Sequence, residues 1–292
     1  MIIVPGPSSE ELGRKVAWEL REKIVALEYK NFPDGENYLR FTGEFKDEDV
    51  VIVQTTGPPQ DTNLIKLLFM IETAKGLGAK KVVAVVPYFA YARQDERYRP
   101  GEVVSAEVVI DLLEKAGLDG FVTFDIHNPE LLGKFKIRAT SLTAMPLIGE
   151  YFSRLNLKKP FVLAPDQEAP RRAEIVAGIL GCEHSWLDKF RDRITGEIRS
   201  EIHEDFDVSG RDIIIVDDII STGKTIVNAV EILRKKGAAN IYVGCTHPVL
   251  APGALERIAG AGAKEVVSTD SIPSSISKIS LAPLIAEELR KG

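Results

Sequence analysis

The chain has 292 residues, and its 43 Asp and Glu outnumber its 37 Lys and Arg, which gives a formal net charge of −6. An excess of negative charge argues against a general nucleic-acid binder, because such proteins need a basic surface to contact phosphates. No apolar run approaches the roughly 18 residues that span a bilayer, and the first ten residues lack the basic start of a signal peptide. We therefore expect a cytoplasmic protein that binds neither nucleic acid nor membrane.

Apolar, strand-like runs alternate with helical patterns along nearly the whole chain. The runs are continuous and rich in Val and Ile, which is typical of strands buried on both faces. Predicted strands cover 2–5, 50–54, 81–87, 120–125, 161–165, 212–218 and 240–246, and predicted helices lie near 8–22, 60–77, 104–116, 143–155, 168–180, 223–236 and 253–260. This alternation predicts an α/β fold with mainly parallel sheets flanked by helices.

The pattern of strand, polar loop and helix occurs twice, which predicts two similar domains. The loop "YFAYARQDE" (88–96) follows a buried strand in the first half, and "VDDIISTGKT" (216–225) ends one in the second. Open α/β sheets bind ligands at the carboxyl ends of their strands, so both loops are candidate binding sites. We expect an N-terminal domain of residues 1–145 and a C-terminal domain of residues 146–292.

The stretch "IIIVDDIISTGKT" (213–225) ends like a nucleotide-binding P-loop, in Gly-Lys-Thr. A P-loop needs a second glycine five positions before Gly223, but Asp218 stands there and its charge would repel phosphate oxygens. The alternative is a compact, hydroxyl-rich turn at the start of a helix, where backbone N–H groups can bind a monoester phosphate. The residues of this turn are Ser221, Thr222, Gly223, Lys224 and Thr225.

Asp217 and Asp218 end the predicted strand directly before this turn. Their carboxylates can accept hydrogen bonds from two vicinal sugar hydroxyls. Phosphate at one end of the loop and a diol at the other fit a ribose 5-phosphate. The alternative, in which the acids only cap a helix, leaves paired carboxylates at the end of an apolar strand without a partner, which is costly.

These residues resemble a known family. "VDDIISTGKT" (216–225) is similar to the phosphoribosyl-diphosphate loop of type I phosphoribosyltransferases and of ribose-phosphate diphosphokinases. The diphosphokinases in particular, of the archaeal type, are matched in chain order over roughly residues 1–290 by "NFPDGENYLR" (31–40), "YFAYARQDER" (88–97), "TFDIHNPE" (123–130), "LAPDQEAPRR" (163–172) and "WLDKFRDRITGEIRSE" (186–201). The resemblance implies two phosphoribosyltransferase-like domains, with ATP on the N-terminal side, ribose 5-phosphate on the C-terminal side, and the last helix packing back on the N-terminal domain.

The resemblance also implies an ATP site made of two segments. In the first segment, Phe32 would stack on the base and the other residues would contact the nucleotide. In the second segment, Arg93 and two polar side chains would contact the phosphates and the nucleotide. The residues are Phe32, Asp34, Gly35 and Glu36, and Arg93, Gln94 and Asp95. In the family the Phe32–Glu36 segment completes a neighbouring subunit's site, which implies a homo-oligomer. By itself, the segment is more typical of a Pro-Asp-Gly turn between two strands.

The remaining matches supply metal and catalytic residues. His127 and Asp166 would bind Mg²⁺; because magnesium prefers oxygen ligands, His127 is assigned by the resemblance rather than by its chemistry. Lys189 and Arg191 match the catalytic lysine and arginine of a loop that closes over the phosphates, and Arg191 would also contact ribose 5-phosphate. A solvated charge run is the alternative, but an exposed ion pair is worth roughly 0–1 kcal/mol. A cation on a transferring phosphoryl group is worth about 10³–10⁵ in turnover.

Two stretches depart from the common form of the family. In the sugar loop, Ser221 stands where an acid is frequent and Lys224 where a small residue is usual. After Asp166, residues 167–169 replace a glycine-rich run. Asp166 itself still matches, but the family's contacts at the three residues after it do not transfer to this chain.

The resemblance implies an ATP-dependent transferase of nucleotide biosynthesis, which moves the diphosphoryl group of ATP to the C1 hydroxyl of D-ribose 5-phosphate. The products would be 5-phospho-α-D-ribose 1-diphosphate and AMP. Two alternatives stay open. A type I phosphoribosyltransferase has the same sugar loop but needs no ATP and usually has one such domain. A non-catalytic, regulatory member of the family would have lost part of the metal and catalytic set, which is complete here.

Overall fold

The computed structural model describes residues 1–167, 170–191, 198–202 and 206–291, and at 189–191 and 198–202 it describes the backbone only. The chain divides into two compact units. Unit 1 consists of Met1–Thr143, Ser271–Pro273 and Ser280–Gly292, and unit 2 consists of Ala144–Asp270 and Ser274–Ile279. Unit 1 therefore contains the C-terminal helix as well as the first half of the chain.

Unit 1 is built on a six-stranded sheet in which all neighbouring strands are parallel. Its strands, in the order β2-β1-β5-β6-β7-β8, are β1 (Ile2–Pro5), β2 (Lys23–Ile24), β5 (Asp49–Val53), β6 (Lys81–Val85), β7 (Gly120–Phe124) and β8 (Arg138–Leu142). A separate antiparallel hairpin joins β3 (Leu27–Asn31) and β4 (Asn37–Phe41). The helices are α1 (Glu10–Leu20), α2 (Gln60–Gly76), α3 (Ser105–Lys115), a short 3₁₀ helix (Pro129–Lys134) and α8 (Ala282–Arg290).

The central strands of unit 1 are buried on both faces. On β5, Val50 and Ile52 belong to the main apolar core of the unit, together with side chains of α2 and α3. Val51 and Val53, which alternate with them, are also buried, and α1 packs on β1 and β5. Because successive residues of a strand point to opposite faces, such a strand needs an apolar residue at every position.

The C-terminal helix α8 packs against α1. The Arg290 guanidinium donates a hydrogen bond of 2.7 Å to the carbonyl oxygen of Glu19, and Arg138 forms an ion pair of 3.0 Å with Glu288. On the buried side of α8, Ile285 and Ala286 are fully enclosed. The last segment of the chain is thus part of the core of unit 1.

Unit 2 contains a seven-stranded sheet that is parallel except at one edge, where β11 runs antiparallel to β10. Its strands, in the order β11-β10-β9-β12-β13-β14-β15, are β9 (Phe161–Ala164), β10 (Glu183–Arg191), β11 (Ile198–Ile202), β12 (Asp212–Ile220), β13 (Asn240–Pro248), β14 (Glu265–Thr269) and β15 (Ser277–Ile279). The helices are α4 (Met145–Ser153), α5 (Pro170–Leu180), α6 (Lys224–Lys235) and α7 (Ala254–Ala261).

The central strand β12 divides the interior of unit 2 into two cores. Ile213 and Ile215 pack into one core with side chains of α6 and α7. Ile214 and Val216 pack into the other, with side chains of α4 and α5. Helices therefore cover both faces of the sheet, and the residues that follow the buried part of β12 emerge at its carboxyl edge.

Both sheets are mainly parallel and flanked by helices, which confirms the predicted α/β fold. All seven predicted strands and all seven predicted helices are present, and their described ends differ from the prediction by no more than two residues. Residues 168 and 169, where the predicted helix 168–180 begins, lie outside the described part of the chain. Within the part of the chain that the structure describes, no helix is long and apolar enough to cross a bilayer.

Candidate functional site

Three neighbouring parallel strands of unit 2 bring the predicted sugar-site residues to one sheet edge. Strand β9 lies between β10 and β12, with Ala164 opposite Trp186 of β10 and Leu163 opposite Ile215 of β12. Asp166 follows β9 directly, and Asp217 and Asp218 lie in the last part of β12. Because parallel strands end at the same edge of a sheet, these three acids are grouped there.

Asp217 and Asp218 are held by their own backbone. Oδ1 of Asp217 accepts a hydrogen bond of 2.9 Å from the N–H of Asp218, and Oδ1 of Asp218 accepts one of 2.9 Å from the N–H of Ile219. Their side chains are only 13% and 9% exposed. Arg172 of α5 approaches the pair from the side, with Nη2 at 3.0 Å from Oδ2 of Asp218 and Nη1 at 3.8 Å from Oδ1 of Asp217.

The electrostatics of this pair favour a cationic partner. Burial raises the pKa of the Asp217 carboxyl well above its usual range, and the charge of Asp218 raises it further. Arg172 lowers that pKa, whereas the more distant charge of Asp166 raises it. Two carboxylates thus face one guanidinium, and Asp166 adds a third negative charge to the same sheet edge, so the remaining negative charge suits a metal ion and hydroxyl donors.

The hydroxyl-rich turn follows β12 and leads into α6. Gly223 precedes the first residue of the helix and has a φ of +76°, a conformation that favours glycine. A Cβ atom there would lie 3.0 Å from Cδ1 of Ile258 and 3.3 Å from the carbonyl oxygen of Ala254. Thr222 and Lys224 are exposed, while Ser221 and Thr225 are partly buried. The turn is therefore tight: Gly223 packs against α7, and Thr222 and Lys224 are open to solvent.

Helix α7 and the loop before it hold the carbonyl groups of this turn. The Arg257 guanidinium donates to the carbonyl oxygen of Thr222 at 2.9 Å, and the N–H of Ala251 donates to that of Ser221 at 3.0 Å. In a trans peptide the following N–H points away from the carbonyl. Because these carbonyls point toward α7 and the loop before it, the N–H groups of Thr222 and Gly223 point away from that side, as the donors of a phosphate-binding turn do.

The predicted catalytic residues Lys189 and Arg191 lie on β10, the strand next to β9. Lys189 is opposite Ser200 and Arg191 is opposite Ile198 in the antiparallel pairing with β11, so the segment forms the predicted hairpin. The side chains of both catalytic residues and the segment 192–197 lie outside the described part. Just before them, Asp188 accepts hydrogen bonds from Gln167 at 2.5 Å and from the indole of Trp186 at 3.1 Å.

Unit 1 places two predicted ATP and metal segments next to each other. Residues 93–95 follow β6 and His127 follows β7, and these strands are parallel neighbours. The Asn128 amide donates a hydrogen bond of 2.6 Å to Asp95, which joins the two segments. Gln94 accepts one of 2.6 Å from Ser105 at the start of α3. Arg93, Gln94 and His127 are exposed.

The other predicted ATP segment, residues 32–36, is elsewhere in unit 1, at the turn of the β3–β4 hairpin. The Phe32 N–H donates to the carbonyl oxygen of Glu36 at 2.8 Å, the Glu36 N–H donates to Asp34 Oδ1 at 3.1 Å, and Gly35 has a φ of +96°. The segment is thus the turn between two strands that the sequence favours when this segment is considered by itself. Phe32 is 39% exposed beside Tyr38, as a residue that contacts a partner or ligand would be.

Apart from the antiparallel edge strand β11, both sheets have the same strand order, so the sugar site of unit 2 has a counterpart in unit 1. The strand order reverses between β1 and β5 in unit 1 and between β9 and β12 in unit 2, and such switch points bind ligands. In unit 1 this point is filled by its own side chains. Gln54 exchanges hydrogen bonds with the N–H and hydroxyl of Ser8, and Ser9 accepts one from the N–H of Thr55. Only in unit 2, therefore, does the switch point carry acids and a phosphate-type turn.

The donor set suits magnesium bound together with a substrate. Among the described side chains, no three His, Cys, Asp or Glu residues converge as a ready-made metal site. Mg²⁺ seldom needs one, since it keeps several waters and binds through one or two carboxylates plus substrate phosphates. Asp166 supplies such a carboxylate at an edge that has excess negative charge. These residues fit a magnesium ion that arrives with a phosphate ligand.

Two arginines at this edge were not predicted from the sequence. Arg172 lies inside the quoted stretch "LAPDQEAPRR" (163–172), but nothing in that stretch indicates contact with Asp217 and Asp218. Arg257 lies on a helix far along the chain from the turn that it contacts. The sequence feature that could have indicated Arg172 is the pair of arginines soon after the acid at the end of a strand. No feature of the sequence indicates Arg257.

Comparison with known proteins identifies the family. Residues 1–117 match the N-terminal domain of ribose phosphate pyrophosphokinase, and residues 199–290 match the phosphoribosyl synthetase-associated domain. The chain is 47% identical to the ribose-phosphate pyrophosphokinase of Methanothermobacter thermautotrophicus and 45% identical to that of Methanobrevibacter smithii. Each comparison covers 99% of this chain and 100% of the other.

The fold agrees with this relationship. The crystal structure of phosphoribosylpyrophosphate synthetase from Mycobacterium smegmatis superposes with a TM-score of 0.86 at 32% identity, covering 99% of this chain and 97% of that one. The matched length covers 99% of this chain in each case and so includes both units. The chain belongs to the ribose-phosphate pyrophosphokinase family, also called the ribose-phosphate diphosphokinases.

Proposed function

We propose that the chain transfers the diphosphoryl group of ATP to the C1 hydroxyl of D-ribose 5-phosphate, giving 5-phospho-α-D-ribose 1-diphosphate and AMP. Family membership over the full length supports this reaction. The observation that supports it most directly is the paired carboxylate of Asp217 and Asp218 next to an outward-facing phosphate turn. A sugar that carries both a vicinal diol and a terminal phosphate matches this arrangement.

Unit 2 would bind ribose 5-phosphate. The turn of residues 221–225 would hold the 5-phosphate with backbone N–H groups, hydroxyls and the charge of Lys224. Asp217 and Asp218 would accept hydrogen bonds from the ribose hydroxyls, and Arg191 would contact the sugar phosphate as β10 and β11 close over it. The C1 hydroxyl would then lie near the carboxyl ends of β9 and β12.

Unit 1 would bind ATP. Arg93 would contact phosphate oxygens. Gln94 and Asp95 would hydrogen-bond the nucleotide and the water molecules bound to it. The hydrogen bond from Asn128 to Asp95 supports a shared site for this segment and His127. Phe32, with Asp34, Gly35 and Glu36, would hold the adenosine of a neighbouring subunit, since Phe32 lies on an exposed hairpin turn.

Catalysis would come from positioning and from neutralising charge. The C1 oxygen forms a bond to the β-phosphorus as the bond to the oxygen of AMP breaks; AMP departs with that electron pair, and the proton of the C1 hydroxyl is released to solvent. Lys189 and Arg191 would stabilise the charge that develops on the phosphates. Closing the hairpin over them would exclude water, which otherwise hydrolyses ATP.

Asp166 and His127 would hold Mg²⁺ in this reaction. When bound, the ion would neutralise negative charge and so lower the repulsion between the nucleophile and the phosphate. The excess of negative charge beside Asp217 agrees with such a cation. His127 is the weaker member of the pair, because magnesium prefers oxygen ligands.

The test is a reaction of the protein with Mg²⁺, ATP and ribose 5-phosphate, followed by chromatography of the nucleotides. We expect AMP to appear only when the sugar phosphate is present. ADP instead of AMP would mean ordinary kinase chemistry. No nucleotide turnover would favour a phosphoribosyltransferase or a regulatory subunit, and binding of ATP would distinguish these, since the phosphoribosyltransferase needs none.

A further inference from the structure

Arg172 lies in the first turn of α5, and its guanidinium reaches the aspartate pair of β12. Its Nη2 is 3.0 Å from Oδ2 of Asp218, and its Nη1 is 3.8 Å from Oδ1 of Asp217. The arginine side chain is 19% exposed, so the contact is shielded from the solvent and salt that weaken surface ion pairs. One planar cation therefore faces both carboxylates that are candidates for binding the sugar.

We propose that Arg172 is a positioning residue, which holds Asp217 and Asp218 at the spacing and orientation that two vicinal hydroxyls of ribose 5-phosphate require. The inference rests on the proposed function. The backbone fixes only one oxygen of each acid, through the N–H groups of Asp218 and Ile219. A rotation about the last side-chain bond would still change where the second oxygen points. At Asp218 the guanidinium restricts that rotation, because it forms its ion pair with the second oxygen, Oδ2; at Asp217 it lies 3.8 Å from the oxygen that the backbone already holds and attracts the carboxylate by its charge.

A guanidinium suits this task better than an ammonium group. Its N–H donors diverge in one rigid plane and can address two acceptors at once, whereas the ammonium of Lys is a point charge on a flexible stem. Adjacent carboxylates also repel each other. Without a cation between them, the two acids would turn apart, and the sugar hydroxyls would lose their paired acceptors.

An ion pair of this kind would also support the fold, so the test has to measure recognition of the sugar. A site that hydrogen-bonds a hydroxyl rejects an analogue without it, because its buried polar groups are then left unpaired. The preference for ribose 5-phosphate over 2-deoxyribose 5-phosphate therefore depends on the orientation of the acids. A general loss of stability would affect both sugars alike.

Arg171 provides a matched control. It precedes Arg172 in the chain and has the same side chain, but it is exposed, whereas Arg172 is mostly enclosed. The substitution R171A removes the same charge from the same turn of α5 without removing the contact with Asp217 and Asp218. A loss that is specific to R172A is thus due to that contact rather than to the charge of the helix.

The experiment compares wild type, R171A, R172A and R172K. Isothermal titration calorimetry with Mg²⁺ measures binding of ribose 5-phosphate and of 2-deoxyribose 5-phosphate, and steady-state kinetics measures the KM for ATP. We expect R172A to weaken ribose 5-phosphate binding by about 10- to 100-fold. R172K keeps the charge but lacks the planar, divergent N–H donors of the guanidinium, and should weaken ribose 5-phosphate binding by about threefold or more. Both should reduce the preference for ribose 5-phosphate, with the KM for ATP unchanged.

Affinity and sugar preference in R172K equal to those of R171A would overturn the proposal, as would equal losses for both sugars. Removing the arginine leaves two enclosed carboxylates without their cation, so if R172A does not fold, R172K decides alone. A wild-type protein that binds ribose 5-phosphate but releases no AMP would contradict the proposed reaction and leave the calorimetric test of Arg172 valid. A wild-type protein that binds neither sugar overturns both.

Discussion

Asp217 and Asp218 follow four fully buried residues of β12, Ile213 to Val216. Charged groups in such a position lower stability unless they are paired and hydrogen-bonded. The sequence shows this conflict directly, as two acids at the end of an apolar strand, and the candidate sugar site could be predicted from it. The partner Arg172 could not, because the contact joins residues far apart in the chain and depends on how α5 packs on the sheet.

The first prediction concerns pH. Burial and the charge of Asp218 raise the pKa of the Asp217 carboxyl well above its usual range. The ionised form accepts hydrogen bonds from the sugar, so lowering the pH should weaken ribose 5-phosphate binding well above about pH 4, where an ordinary Asp titrates. Calorimetry at fixed Mg²⁺ from neutral to mildly acidic pH measures this affinity.

The substrate phosphate also titrates in this range, with a pKa of about 6. The variant Asp217→Asn shares that titration but lacks the carboxyl group. The difference between wild type and variant should therefore be large at neutral pH and shrink as the pH falls. A difference that stays constant down to about pH 5 would show that Asp217 has an ordinary pKa.

The second prediction concerns Gly223. Substitution by Ala would strain the positive φ by about 1–2 kcal/mol and would force the new methyl group against Ile258 and the carbonyl of Ala254. The turn would have to move, so we expect lower thermal stability together with a higher KM for ribose 5-phosphate. Gly210 is a control, because it has a similar φ of +67° with nothing within 4 Å of the added Cβ. Gly210→Ala should lower stability without changing the KM.

At the scale of helices and strands, how well a strand could be predicted from the sequence depends on how fully it is buried. Strands such as β5, β9 and β12 are enclosed on both faces and appear in the sequence as continuous Val and Ile runs. Strands β8 (RATSL) and β15 (SKI) are short edge strands with polar residues, so no periodicity distinguishes them from loops. The β3–β4 hairpin is also largely polar and is separate from the six-stranded sheet, and β11 (IRSEI) is an edge strand of the seven-stranded sheet. Whether these segments form strands depends more on pairing with neighbouring strands than on their own hydrophobic pattern.

The third prediction concerns the side chain of Glu265, which joins three elements of unit 2 by hydrogen bonds. Oε1 of Glu265 in β14 accepts hydrogen bonds from Tyr151 of α4 at 2.7 Å and from Lys278 of β15 at 2.6 Å. Burial alone would raise the pKa of Glu265, but these two donors and the Lys278 charge lower it below its usual value. A carboxyl group with a lowered pKa stabilises the fold above its ordinary pKa, and this contribution is lost as the pH falls through the folded-state value.

Glu265→Gln should therefore lower the thermal midpoint near neutral pH, and the gap from wild type should close in acid. Thermal melts followed by circular dichroism over this pH range measure that gap. Glu256→Gln on α7 is a control, since Glu256 is exposed. A gap for Glu265→Gln that is the same at all pH values would mean that shape, and not charge, accounts for the loss.

At the scale of the whole molecule, the two units repeat one strand order but use it differently. The switch point of unit 1 is closed by Gln54 and Ser8, while that of unit 2 carries Asp166, Asp217 and Asp218. The sequence predicted the repetition from its alternating pattern. It could not predict which switch point is closed, since that depends on side chains from two separate loops that meet only in the fold.

The fourth prediction concerns the assembly. If Phe32 completes the ATP site of a neighbouring subunit, a chain with Phe32→Ala and a chain with Asp217→Asn should complement each other. The Phe32→Ala chain keeps an intact sugar site, and in a mixed oligomer the Asp217→Asn chain supplies the missing aromatic ring. Each variant alone should have at most about a tenth of wild-type turnover, since each loses a substrate contact. Co-expressed and purified together through two different tags, they should regain a clear fraction of the activity.

The control pairs Asp217→Asn with Asp218→Asn, which damage the same site. That mixture should stay inactive, because no combination of its subunits contains an intact sugar site. Recovery in the first mixture alone would show that the hairpin turn acts between subunits. No recovery in either, with mixed oligomers present, would place Phe32 in the ATP site of its own chain, and the exposure of its ring would then reflect a site open to solvent until ATP binds.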